Sequence, residues 1–304
     1  MKNNYVIEVK GLLKEYPGKV IALDNIDLNI PKGSIFGLLG PNGAGKSTFI
    51  NILAGLTNKS SGVIKVCGID LDENPKTVRG SIGVVPQEIN IDPFFTPIEI
   101  LNLQAGFYGL RKKEMKNNQI LRDINLFEKA EAYSRSLSGG MKRRLMVAKA
   151  MVHSPQVLIL DEPTAGVDVE LRKKLWNYVR KLNSNGTTII LTTHYLEEAE
   201  ELCDNIAIIN KGKVVACNTK EKLLDSIQIK EICVEVKKMF KKVPVDLKKY
   251  LVSKNNNNFT LRYKKNEINS GEIINIIKRN KLNIVELTTS ETDLEEIFLK
   301  LLQK

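Results

Sequence analysis

The sequence predicts an α/β fold: a buried, mainly parallel sheet with a helical insertion, followed by a small α+β domain. Three observations carry that expectation. Apolar runs at 34–39, 157–160 and 187–192 each end in a glycine loop, a carboxylate pair or a histidine, as strands of a sheet covered on both faces do when their chemistry gathers at the carboxyl ends. The stretch from Gly40 to Gly45 separates the first run from a helical pattern beginning near Lys46. Beyond about residue 220 the pattern changes to short alternating segments and amphipathic stretches.

The elements follow in chain order. Met1 to Lys10 alternates polar and apolar residues and lacks a continuous apolar core, so it reads as a first β-strand and not a signal peptide. Two strand-like segments precede the turn Pro31-Lys32-Gly33 and the buried strand that follows it. Residues 94 to 134 carry helical spacing without a buried-strand pattern, which places a helical insertion within about 88–150. The apolar run Val157-Leu158-Ile159-Leu160 ends in Asp161-Glu162, and the next ends at His194. The second domain, residues 221–304 against 1–220 for the first, contains the alternating Ile232–Val236, the strand-like Phe259–Tyr263, an amphipathic Glu272–Arg279 and a last helix from about Asp293. The run Asn255 to Asn258 reads as a hairpin loop, since asparagine tolerates turn geometry.

Composition bounds the function. The chain has 304 residues, 42% hydrophobic and 27% charged, which supports a sizeable core and excludes a disordered tail. The formal net charge of +11 has two explanations: a compositional drift towards lysine, or a basic patch for phosphate-bearing partners. The four cysteines, Cys67, Cys203, Cys217 and Cys233, lie far apart without a C-x-x-C pair, so no zinc site or disulfide framework is indicated, and a reducing cytoplasm is expected. No apolar run reaches the roughly 18 residues of a membrane span, so a membrane role requires another chain to supply it.

Gly40-Pro41-Asn42-Gly43-Ala44-Gly45-Lys46-Ser47-Thr48 contains G-x-x-x-x-G-K-S between a buried strand and a helix. Successive N–H groups there wrap a β-phosphate, Lys46 bridges the β- and γ-phosphates, and the Ser47 hydroxyl ligates Mg²⁺. Asp161 fits the Mg²⁺ shell, and Glu162 is suited to polarise a water for attack on the γ-phosphate. Taken alone, that acidic pair also fits a helix N-cap. Leu137-Ser138-Gly139-Gly140-Met141 opens an apolar-periodic helix and forms a second anion-binding helix start.

In these motifs the sequence resembles the nucleotide-binding subunits of the ATP-binding-cassette (ABC) transporter family, over about residues 5 to 220. The Walker A loop is GPNGAGKST, the Walker B strand VLILDE, the signature LSGGM, the Q-loop glutamine Gln87, the D-loop Thr164-Ala165-Gly166-Val167-Asp168 and the switch histidine His194. The resemblance implies a P-loop NTPase fold of ABC type with an N-terminal antiparallel β region. It implies ATP and Mg²⁺ as cofactors and two domains packed head to tail, with Ser138, Gly139 and Gly140 gripping the partner's ATP. It further implies Glu162 as catalytic base, His194 as the γ-phosphate contact, Gln87 as sensor of Mg²⁺ and water, and Asp168 as the D-loop aspartate. Tyr16 resembles the aromatic that stacks on adenine, with core packing as the alternative.

The TAGVD wording and the C-terminal Ser290–Leu299 segment resemble the exporter branch that carries drugs, polysaccharides or lipids. The resemblance thus implies an ATPase subunit, homodimeric, peripheral at the cytoplasmic face of the inner membrane and serving a separate permease of the type-2 exporter class. The aromatics of Pro93-Phe94-Phe95-Thr96 are either part of a groove for that permease or core packing. Nucleic acid is not expected as a partner. A soluble ABC ATPase acting on the ribosome or nucleic acid is the rival, motivated by the charge, but such relatives carry two cassettes or long insertions.

Overall fold

The computed structural model describes residues 4–165, 167–226, 229–237, 244–264, 267–280, 282–291 and 294–302. The chain divides into two compact units, Met1–Thr219 and Lys220–Lys304. Gly166 of the D-loop, and Thr292 and Asp293 before the last helix, lie outside the described residues.

The first unit opens with two long strands, β1 (Tyr5–Tyr16) and β2 (Val20–Pro31), then β3 (Ile35–Leu39) and helix α1 (Lys46–Leu53). Next come β4 (Ser61–Val66), β5 (Ile69–Asp70), α2 (Pro75–Gly80) and β6 (Ile82–Val85). β1, β2, β4 and β5 form an antiparallel sheet in the order β2-β1-β4-β5. Val6, Leu12, Leu23, Ile26, Ile30 and Ile64 of this sheet enter the core, with a register irregularity between β1 and β2 resetting the strand alternation between Leu23 and Ile26.

The insertion follows as α3 (Pro97–Phe107) and α4 (Asn117–Asp123), with short 3-10 turns at Lys112–Glu114, Phe127–Lys129 and Ser134–Ser136. Thr96 and Glu99 form a reciprocal capping box that, with Pro97 in the first turn, fixes where α3 begins. Then come α5 (Gly139–Met151), β7 (Val157–Asp161), α6 (Val169–Ser184), β8 (Thr188–Thr193), α7 (Leu196–Leu202), β9 (Asn205–Asn210) and β10 (Lys213–Thr219). The second sheet runs β10-β9-β3-β8-β7-β6, parallel throughout except for the β9–β10 hairpin. Every residue of β3 and β8 is buried, as strands covered on both faces must be. Phe36, Phe49, Ile52, Ile159, Ile190 and Ile209 join both sheets and α1 in one core. This sheet aligns the carboxyl ends of β3, β6, β7 and β8 on one edge, where the sequence motifs fall.

The second unit comprises α8 (Lys220–Ser226), β11 (Ile229–Val236), β12 (Leu251–Asn255), β13 (Asn258–Lys264), α9 (Ser270–Arg279), β14 (Ile284–Glu291) and α10 (Leu294–Leu302). Its antiparallel sheet has the order β12-β13-β11-β14. Ile273 and Ile277 of α9 pack with Ile232, Val234, Phe259 and Leu261 in its core. The asparagine run is the turn between β12 and β13, with Asn256 at φ 30°. Strands β4, β5, β6, β12 and β14 are additions to the elements expected from sequence. Among the described residues no helix is long and apolar enough to cross a membrane.

Candidate functional site

The site grows from the exit of β3. There the chain runs from Leu39 into the glycine loop and enters α1 at Lys46, with Gly45 as its N-terminal cap at φ 110°. A Cβ on Gly45 would stand 2.5 Å from the carbonyl oxygen of Ala22 on β2, so only glycine lets the loop lie against that strand. Asn42 to Thr48 and Ala22, together with Gln87, Glu162 and His194, line one cavity of about 470 Å³. Gly40 and Pro41 serve from behind: their carbonyls accept hydrogen bonds from Lys46 Nζ at 2.6 and 3.1 Å. Burial holds the Lys46 ammonium below the usual lysine range, and the charges of Glu162 and then Asp161 act against that shift.

Across the cavity, the Glu162 carboxylate is held from both sides. Gln87 Nε2 donates to its Oε2 at 3.0 Å, and His194 Nδ1 lies 3.2 Å from its Oε1. β6, β7 and β8 are neighbours in the sheet, so their three exits bring Gln87, Glu162 and His194 together from distant parts of the sequence. Glu162 adopts a left-handed backbone, φ 46°, which costs a non-glycine residue about 1–3 kcal/mol and needs surrounding structure to hold it. Its N–H donates to both the carbonyl (3.0 Å) and Oγ1 (3.1 Å) of Thr192. The Thr192 hydroxyl in turn donates to Asp161 Oδ1. The acidic pair is therefore not a helix cap: α6 starts later, with Asp168 Oδ1 accepting from Leu171 N at 2.9 Å.

Two buried charges lie beside this site. Arg143 on α5 is 3% exposed, and all its hydrogen bonds run to carbonyls of Pro86, Gln87, Glu162 and Pro163. Burial lowers its pKa, offset by Glu198 and Asp161, but a guanidinium stays charged. Glu198 on α7 is fully buried, accepts from Trp176 Nε1 at 3.1 Å, and is pushed above the usual carboxylate range by that burial. Each sits in a run of like charges that reads as a solvated face; only the apolar spacing of α5 and α7 hints that one member turns inward.

Ser138, Gly139, Gly140, Asp168 and the predicted metal ligand Asp161 do not line this cavity. Ser138 caps α5, its hydroxyl accepting from Met141 N at 3.3 Å, and both Ser138 and Gly139 are exposed. Gly140 is half-buried against Leu171, whose side chain a Cβ there would displace from 2.7 Å. Tyr16 stands at the β1–β2 turn opposite Val20, two residues before the cavity-lining Ala22; it is half-buried, with Lys14 Nζ 4.6 Å from its ring centre. Phe94 and Phe95 are 69% and 40% exposed, so they are not core packing.

A family model described as ABC transporter matches residues 23–165. The Nod factor export ATP-binding protein I of Cupriavidus metallidurans is 41% identical over 223 residues, covering 73% of this chain and 73% of that protein. The linearmycin resistance ATP-binding protein LnrL of Bacillus subtilis is 41% identical over 220 residues, covering 72% of this chain and 70% of that one. Among solved structures, a dimeric ATP-binding cassette in a post-hydrolysis state with ADP and Pi superposes with a TM-score of 0.63 at 27% identity, over 70% of this chain and 98% of that one. Fold and site together thus define a P-loop ATPase cassette. The chain belongs to the ABC transporter family, in which it is an ATP-binding, ATP-hydrolysing subunit of the export type.

Proposed function

We propose that ATP binds in the β3–α1 cavity and that Glu162 is the general base for attack on its γ-phosphate. The observation that carries this reading is the Glu162 carboxylate clasped between Gln87 and His194, opposite the phosphate loop. The loop N–H groups and the α1 N-terminus receive the phosphates, Lys46 turns from its carbonyl partners to them, and Tyr16 stacks on the adenine. Glu162 draws the proton from the attacking water, while His194 holds water and carboxylate in line with the phosphate.

Mg²⁺ fits the donor set. Ser47 offers a hydroxyl, Asp161 a carboxylate, and Gln87 retains its amide oxygen because its nitrogen is the atom engaged with Glu162. When bound with the nucleotide, the ion neutralises charge on the β- and γ-phosphates.

Two copies pair head to tail, so that Ser138 and Gly139, exposed on one copy, and the half-buried Gly140 complete the nucleotide site of the other, with Asp168 near the seam. The pair drives a separate membrane-spanning permease of the type-2 exporter class from the cytoplasmic face of the inner membrane. Exposed Phe94 and Phe95 support a permease contact at the start of the insertion. The relatives' names support export, but the cargo is set by the permease chain.

Affinity purification of Glu162→Gln with ATP from detergent-solubilised native membranes tests the assignment. A stoichiometric polytopic protein in the eluate is expected. Recovery in the soluble fraction with ribosomes or nucleic acid would overturn the transport reading and leave the ATPase reading standing.

A further inference from the structure

We propose that Arg143 is a positioning residue that sets the Gln87–Glu162 pair from the helix opened by Ser138-Gly139-Gly140. This rests on the reading that Glu162 is the base. Arg143 donates from Nε to Pro163 O (2.7 Å), from Nη2 to Glu162 O (2.6 Å), and from Nη1 to Gln87 O (2.6 Å) and Pro86 O (3.1 Å). Its acceptors are two consecutive carbonyls on each of two chain segments, those leaving β6 and β7, which are paired side by side up to Val85 and Leu160. Beyond that point the sheet ladder ends, and the guanidinium takes its place as the link between the segments.

The side chains of those same segments also meet, where Gln87 Nε2 donates to Glu162 Oε2. The Arg143 bond to Glu162 O also acts on the residue with the left-handed backbone, fixing its carbonyl while Thr192 fixes its N–H. A planar fork of donors can serve four carbonyls at once, whereas a lysine ammonium cannot reach across both segments. The neighbouring Arg144 donates instead to Ile124 O after α4, so α5 is tied to the catalytic edge by one arginine and to the insertion by the next. The function of Arg143 is therefore geometric: it touches no reacting atom and holds the two groups that do.

The test is a double-mutant cycle in the full chain, with Arg143→Lys, Gln87→Ala and the double variant assayed for steady-state ATP hydrolysis and for ADP affinity by calorimetry. A displacement of about 1 Å at a reacting group costs about 10²-fold in rate, so kcat of Arg143→Lys should fall on that order while ADP affinity stays within about threefold. Because both changes act through one carboxylate, the double variant should be no slower than the slower single variant. Losses that multiply, or an Arg143→Lys kcat within about threefold of wild type, would overturn the proposal. If Arg143→Lys does not fold, Arg143→Gln, which keeps an amide donor for the same carbonyls, runs the same cycle with the same criteria. A wild-type chain that binds ADP but loses nothing on Glu162→Gln would sink the reading beneath the proposal and not the cycle.

Discussion

Replacing Thr192 with valine removes one hydroxyl from the centre of the site while conserving volume. Thr192 is fully buried, and its Oγ1 both donates to Asp161 and accepts from the N–H of Glu162. The N–H loses little, because the Thr192 carbonyl still accepts it at 3.0 Å. Asp161 loses a hydrogen bond to a charged acceptor, worth about 1.5–3 kcal/mol. The added methyl returns up to about 0.8 kcal/mol of apolar burial, leaving a net loss of about 1–2 kcal/mol. For a unit of this size each kcal/mol lowers the melting temperature by about 2–4 °C, so Thr192→Val should melt about 2–8 °C lower. Freeing the carboxylate should slow ATP hydrolysis by about 10–100-fold, as loss of an outer-shell partner does. Thermal melts by fluorescence and phosphate-release assays read both effects, and Thr192→Ser, which keeps the hydroxyl, should stay near wild type in rate. A Thr192→Val protein with unchanged melting and turnover would refute the argument that this hydroxyl holds the acidic pair.

Two further substitutions probe the same edge of the sheet. Gly45→Ala drives a Cβ into the Ala22 carbonyl at a backbone conformation closed to L-residues; it should cost about 2–5 kcal/mol in the melt and abolish ATP binding by calorimetry. Glu198→Gln keeps an oxygen for the Trp176 N–H and removes a carboxyl whose folded-state pKa is raised by burial. A raised carboxyl favours the fold below its unfolded value, about 4.3, and loses that contribution as pH rises through the folded value. The variant should therefore match wild type in melts near pH 4–5 and exceed it increasingly towards pH 8; a gap that fails to widen would show Glu198 to be ionised without cost.

The candidate site was legible where its residues are contiguous in sequence. Gly40 to Thr48 announce a phosphate loop because the turn, the lysine and the hydroxyl must be contiguous, and the apolar run before Asp161-Glu162 marks a buried strand end. His194 and Gln87 were reached only through the order of motifs, since a lone histidine or glutamine after a strand carries little information. Arg143 was not legible: its partners lie 56 and 19 residues away in sequence and are carbonyls, which any residue type supplies. Glu198 hid for the same reason, its partner Trp176 lying 22 residues earlier. The fold shows the same division. β3, β7 and β8, buried on both faces, stand out as apolar runs, whereas β12 and β14 mix exposed and half-buried residues and gain strand geometry from pairing with β13 and β11.

Single-turnover hydrolysis by Glu162→Gln addresses the central claim most directly. The amide preserves the shape between Gln87 and His194 but cannot take a proton from water. ATP should bind with affinity within about threefold of wild type while cleavage slows by about 10²–10⁴-fold, the span of a general base. Cleavage at a rate near wild type, with ATP bound, would contradict the assignment of Glu162 as the base.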